Sequence, residues 1–450
     1  MQRVGEHSTR DQCFDSMKGG VGIVWFTNDL RLTDNAVLMH AMERHDVIVP
    51  VFVLDIEHYR SEQFGFRRMG SRRLKFLLET LTDLQRAMRE RGAHLQVLVG
   101  RPTDVLLDAV KRFGAKCIYV KKEVGYEENR TQEEVMHAAW KHGAELTSIS
   151  TSTLYHPQDL PFGVRDVPDV FTEFRKRVER ETHIREALSA PERIITAALD
   201  PTSIPEGVDL GFEEPVHDSR SVLPFVGGEQ SAFNRLHYYF DESLLVSKYK
   251  ETRNGLIGGD YSSKFSPWLA LGCISPRSIY WELKQYELKH GANDSTYWLV
   301  FELLWRDYFR FAMKKYKQKF FLLGGIQEKP VASAQDSKAV QQWVDGSTGV
   351  AFVDANMHEL RLTGFMSNRG RQNAASYFCN DLAQDWRIGA AYFEEQLLDY
   401  DVSSNWCNWA YLAGVGNDPR GNRYFDIQKQ AKQYDSGGEY RKLWLDSTKV

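Results

Sequence analysis

Between Arg361 and Tyr411 the sequence gathers groups that could do redox chemistry together. Arg369 and Arg371 precede Asp399 and Asp401, and Trp386, Trp406 and Trp409 crowd the same stretch. The guanidiniums meet the carboxylates only if the chain folds back between them. Burying an unpaired ion is costly, so a helical core that holds these residues must pair them. Two arrangements satisfy that demand. One is a structural salt-bridge cluster. The other is a pocket for a large, flat, partly anionic cofactor, backed by oxidisable aromatics.

Three further stretches carry groups that could do chemistry. Ser262, Ser263 and Ser266, with Lys264 and Phe265 among them, stand just before WLALG. A serine-rich turn opening a helix offers hydroxyls and N–H groups to a phosphate, or simply caps the helix. In WLVFELLWRDYFRFAM, Glu302 and Arg306 sit one turn apart within an almost wholly apolar helix. They form either a mutual ion pair or part of a site. Asp29, Arg31 and Asp34 follow the first strand, where ligands bind in open α/β sheets, although a turn with a local ion pair also explains them.

The elements that position these groups read as two regions. Apolar runs at 22–26, 47–55, 94–100 and 117–122 alternate with amphipathic helices such as 72–92. That alternation predicts a Rossmann-like α/β domain with a parallel sheet over 20–150. Residues 151–230 are proline-rich and read as a long connector with one helix near VFTEFRKRVERE. From 231 to 450 the pattern is all-α. Residues 1–19 read as a disordered extension.

Composition excludes several classes. The formal charge is −4, so a nucleic-acid partner needs a local basic patch. Lys314, Lys315, Lys317, Lys319, Arg420, Arg423, Lys429 and Lys432, with aromatics between them, supply either such a groove or solvated helix faces. The five cysteines are scattered, without metal or disulfide spacing, which predicts no metal site and a reducing compartment. A cytoplasmic monomer is the expectation, with nucleus and organelles open. No apolar run reaches membrane-spanning length. No GxGxxG follows the first strand, so a nicotinamide cofactor is not supported.

IVWFTNDLRLTDN, LTGFMSNRGRQNAAS, DWR and DYDVSSNWCNWAYLAGVGNDPRGNRYF agree in order and spacing with one family. The chain resembles the photolyase/cryptochrome family, most closely its DASH cryptochromes. TLYHPQDLPF and PDVFTEFRKRVE strengthen the subfamily match. The resemblance implies FAD in a photolyase-like all-α domain. It assigns Tyr249, Ser262, Ser263, Lys264, Phe265 and Ser266 to the pyrophosphate and ribityl chain. Arg306 and Arg310 fall on the cofactor side. Arg371 and Asp399 would pair beside the isoalloxazine, with Asp401 at its polar edge and Asn405 near the reactive ring nitrogen. Asn368 would face cofactor or lesion.

The implied reaction is light-driven splitting of pyrimidine dimers in single-stranded DNA, with Glu302, Trp305, Gln372 and Tyr411 in the substrate pocket. Gln372 and Tyr411 replace the Met and Trp usual in duplex photolyases. Trp409 and Trp386 match the inner pair of an electron-hopping chain. Its distal Trp is absent, Ser333 standing there. Photoreduction is therefore expected to be slow or to leave through Tyr392, Trp406 or Trp343. A folate antenna, methenyltetrahydrofolate, is a further implied cofactor, with Glu127 and Asn129 near its contacts. Thr27 replaces the family's usual Arg. The alternative is a photoreceptor that binds nucleic acid, RNA included, or a protein partner without efficient repair. Its usual device is a long C-terminal tail, and no such tail follows LWLDSTKV here.

Overall fold

The structure, a computed structural model, describes residues 19–418 and 423–446. The extension expected over 1–19 lies outside the described residues apart from Gly19, and Arg420 lies outside them too.

Five parallel strands form the sheet, in the spatial order Gln96–Val99, Val47–Leu54, Val21–Phe26, Cys117–Lys121, Glu145–Ile149. Helices cover both faces, so the inner strands are almost wholly apolar, as VIVPVFVL shows. Pro50 is tolerated because it falls between the Ile48–Thr196 bridge and the ladder that begins at Val51 and Gln96. The fifth strand, ELTSI, is half polar and lies at the sheet edge, so it lacks the apolar signature of the other four.

The connector wraps the body and carries the helix Phe171–Glu181. Beyond it the chain is helical. The helix Asp294–Tyr316 runs through the centre of this half, opened by a capping box at Asn293 and Thr296. Around it stand Ala351–Thr363, Asn368–Ser376, Trp386–Gln396 and Val402–Leu412. Trp343, Trp386 and Trp406 are among the largest fully buried side chains, and they place the core between these helices.

The two halves are welded together by NDLRLTDN. Asp34 does not pair with Arg31. It binds Arg277 of the helical half at 2.6 and 3.0 Å and accepts from Ser275. Arg31 instead donates to the carbonyls of Gly272, Asp34 and Thr151. Gly272, at φ +68°, approaches so closely that a Cβ would lie 2.3 Å from the Asn28 carbonyl oxygen. The expected local ion pair is thus an interdomain lock, and its partner lies 243 residues away in sequence.

Candidate flavin site

Asn368 and Arg371 come from one helix, Asn405 and Trp409 from another, and Asp399 and Asp401 from the turn before it. All six line one cleft. Arg371 Nη2 donates to Asp399 Oδ2 at 2.8 Å. The other oxygen, Asp399 Oδ1, is buried without a partner. Asn405 Nδ2 donates to the Ala390 carbonyl at 2.9 Å, which fixes its amide against the floor. Asp401 accepts from Ser404 N as the cap of Val402–Leu412 and pairs with Arg310 at 2.6 Å. Burial pushes this carboxyl upward, but Arg310 and Arg306 outweigh burial and hold it well below the usual carboxylate range.

The serine-rich turn lies on the same half. Its helix, Ser266–Leu271, takes Phe265 as cap and makes no side-chain capping bond. The carbonyls of Ser262 and Ser263 accept from Arg235, which holds the turn rigid. Lys264 adopts φ +60° and buries an Nζ that has no hydrogen-bond partner. Burial lowers its pKa well below the ordinary lysine value. Tyr261 OH and Glu359 Oε1 are likewise buried and unpartnered. Orphaned buried groups of both signs, Asp399 Oδ1 in the cleft and Lys264 Nζ on the serine-rich turn, fit an anionic ligand with a hydrogen-bonding ring.

Glu302 and Arg306 do not pair. Glu302 binds Arg253 at 2.7 Å and accepts from Trp298 Nε1 at 3.2 Å. Burial still raises its carboxyl pKa, against those two contacts. Arg306 donates to the Ser152 carbonyl of the connector and the Leu269 carbonyl of the helical half. Arg310 reaches the site only through Asp401, and neither arginine lines the cleft. Trp305 is stacked on Phe171 at 3.7 Å, with Tyr411 edge-on at 6.1 Å. Gln372 lines the cleft and accepts from Arg369 at 2.9 Å. Tyr249 is buried beside Glu302, and burial followed by that charge raises its phenol well above 10.

Trp409 lines the cleft, and its ring neighbours are Trp343 at 6.1 Å, Phe378 and Phe393. Trp386 lies 5.9 Å from Trp406 and lines a different cavity. Sequence reasoning missed Arg253, Trp298 and Tyr400. KYKETRNG places Arg253 one turn after Tyr249, a spacing that could have suggested a partner for Glu302.

A second cleft opens between the halves and is lined by Arg68, Glu127, Glu128, Glu394 and Tyr400 among others. Glu127 pairs there with Arg68 at 2.6 Å. Asn129 instead donates to the Gly125 carbonyl. Thr27 Oγ1 donates to Glu123 at the strand ends next to this cleft.

The DNA photolyase family profile matches residues 22–192, and that of the FAD binding domain of DNA photolyase matches 298–449. A cryptochrome DASH from Xenopus laevis is 48% identical over 93% of this chain and 81% of its own. One from Arabidopsis thaliana, described as chloroplastic/mitochondrial, is 46% identical over 95% of this chain and 75% of its own. The crystal structure of a Synechocystis cryptochrome, 45% identical, superposes with a TM-score of 0.92 over 97% of this chain and 90% of its own. A class III photolyase from Agrobacterium tumefaciens shares the fold at 24% identity and a TM-score of 0.81, over 97% of this chain and 88% of its own. The chain belongs to the photolyase/cryptochrome family, within its DASH cryptochrome branch. FAD is the cofactor of its helical domain. Among the described residues no helix is long and apolar enough to cross a membrane.

Proposed function

We propose that this flavoprotein uses blue light to split cyclobutane pyrimidine dimers in single-stranded DNA. The observation that carries the reading is the make-up of the cleft and its surroundings. Asp399, Arg371 and Asn405 line the cleft together with Gln372. Tyr411 continues the helix that carries Asn405 and meets Trp305 of the central helix, which also bears Glu302 and Trp298, and the Arg423 guanidinium covers Tyr411 at 4.6 Å.

Reduced FAD supplies the light-driven one-electron transfer that side chains cannot. The chain's residues do the rest. Arg371 and Asp399 would hold the ring's polar edge, and Asn405 would contact its reactive nitrogen. Lys264, Ser262, Ser263 and Ser266 would hold the diphosphate arm, and Tyr249 would close the pocket from the Glu302 side. Glu302, its carboxyl pKa raised by burial, would hydrogen-bond the extruded pyrimidines. Arg369 and Arg423 would meet the phosphate backbone.

Extruding a lesion costs a few kcal/mol from a duplex and less from a single strand. Stacking a base on an aromatic returns roughly 1–3 kcal/mol. Gln372 and Tyr411 reduce the apolar wall, so single strands are the better substrate. The test is to reduce the protein, add dimer-containing oligothymidine, illuminate with blue light and follow the return of thymine absorbance. Equal rates on single and double strands would overturn the preference, and no return would overturn the repair reading.

One observation favours a second reading. Glu302 is already engaged by Arg253 and Trp298, so a photoreceptor that binds single-stranded DNA or RNA without turnover would use the same mouth. Binding without thymine recovery selects it. We also place a folate antenna in the interdomain cleft, where Glu127 and Glu128 could accept from a pterin. Quenching of folate fluorescence on mixing tests it.

A further inference from the structure

We infer that Tyr400 is a redox relay residue, giving up an electron toward the flavin site and its proton to Glu394. The inference rests on the flavoprotein reading, though not on DNA repair. Tyr400 is the wall between two cavities: it lines both the flavin cleft and the cleft between the halves. Its hydroxyl and the Glu394 carboxylate lie side by side on one donor, the Trp406 indole. The Trp406 indole N–H donates to Glu394 Oε2 at 3.2 Å and to the Tyr400 oxygen at 3.3 Å. One indole N–H therefore bridges the phenol oxygen and the carboxylate. Arg68 donates to the opposite oxygen, Glu394 Oε1, at 3.1 Å and fixes the carboxylate in place.

The Arg73 guanidinium lies 4.6 Å from the centre of the Tyr400 ring. A cation on the ring face opposes loss of an electron alone, because the product would be a ring cation beside it. The electron therefore leaves only as the O–H bond breaks. It passes to light-excited oxidised flavin, or to a hole on Trp406. The proton passes to the Glu394 carboxylate, and Tyr400 becomes a neutral tyrosyl radical. A thiol entering the interdomain cleft returns one hydrogen atom to the phenoxyl oxygen, and Glu394 releases its proton to solvent.

Tyr392 is the built-in control. It lies 5.6 Å from Trp343, which adjoins Trp409, but its hydroxyl is buried with no partner. It has proximity and no proton acceptor.

The test uses the full chain with oxidised FAD bound, without DNA and without added reductant. The sample is illuminated and its electron paramagnetic resonance spectrum recorded. A neutral tyrosyl signal is expected, forming more slowly in D2O. Tyr400→Phe should lose the tyrosyl signal, and Glu394→Gln should delay it and shift the spectrum toward an indole radical. Tyr392→Phe should match the parent. A tyrosyl signal unchanged in Tyr400→Phe, or a formation rate indifferent to D2O, would overturn the relay. If Tyr400→Phe fails to fold, the Glu394→Gln spectrum and the isotope effect on the parent decide the matter. A protein that repairs no dimer yet shows the Tyr400 radical refutes the repair reading alone.

Discussion

Arg310 and Asp401 form a buried ion pair at 2.6 Å, and the same carboxylate caps the helix that carries Asn405 and Trp409. The long central helix therefore sets the angle at which the flavin-facing helix begins. Asp401→Asn keeps a competent cap but strands the Arg310 charge, and should cost about 3–5 kcal/mol. Asp401→Ala should cost about 1 kcal/mol more through the lost cap. Chemical denaturation of the two variants checks both. The sign of the pH effect follows from the depressed Asp401 carboxyl. Its stabilisation is complete above the unfolded value, about 4, and drains as pH falls from there through the folded one. Asp401→Asn should therefore lose less stability on acidification than the parent.

Glu359 predicts the opposite slope. Burial pushes its carboxyl up to about 7, against a hydrogen bond from Tyr440 and the charges of Lys264 and Arg371. The folded state thus holds a proton that the unfolded state has released between roughly pH 4.5 and 7, so stability falls as pH rises through that window. Glu359→Gln should flatten this decline, which is on the order of 3 kcal/mol. Denaturation midpoints of the flavin-free protein across pH 5–7 measure it.

Ser333 is exposed, and residues 329–332 beside it line a cavity whose floor includes Trp386. Ser333→Trp would add an oxidisable ring where side chains are small. Bleaching of the oxidised flavin band under blue light should accelerate several-fold. An unchanged rate would show that electrons do not leave by way of Trp386.

Gly389 packs against the indole of Trp409, where a Cβ would stand 2.3 Å from a ring atom. Gly389→Ala must push the indole into the flavin cleft that it lines. Overpacking of this kind costs about 1–3 kcal/mol. Flavin affinity should drop by roughly tenfold, which is about 1.4 kcal/mol. Fluorescence titration of free FAD reads the change.

The alternation of apolar strands and amphipathic helices was legible because both faces of the sheet are covered, which leaves near-continuous apolar runs. Glu145–Ile149 escaped because an edge strand carries polar residues, and the short Glu62–Gln63 and Phe66–Arg67 pair is too brief to show a period. The proximity of Arg371 and Asp399 could be argued from the cost of buried charge, yet that argument does not choose partners. Tertiary contacts choose them: Glu302 takes Arg253, Arg310 takes Asp401, and Asp34 takes Arg277. Tyr400 was invisible for a different reason. Its significance comes from lying between two cavities, and no local pattern records which side chains become a partition.

The Asp34–Arg277 lock and the tight seat of Gly272 bear on how this chain can be re-engineered. Exchanging the amino-terminal half with that of a relative would graft a new strand tip onto an old socket. Such a chimera should hold together only if residues 28–35 and 271–278 travel as one cassette, so the unit of exchange spans both halves rather than following the boundary between them.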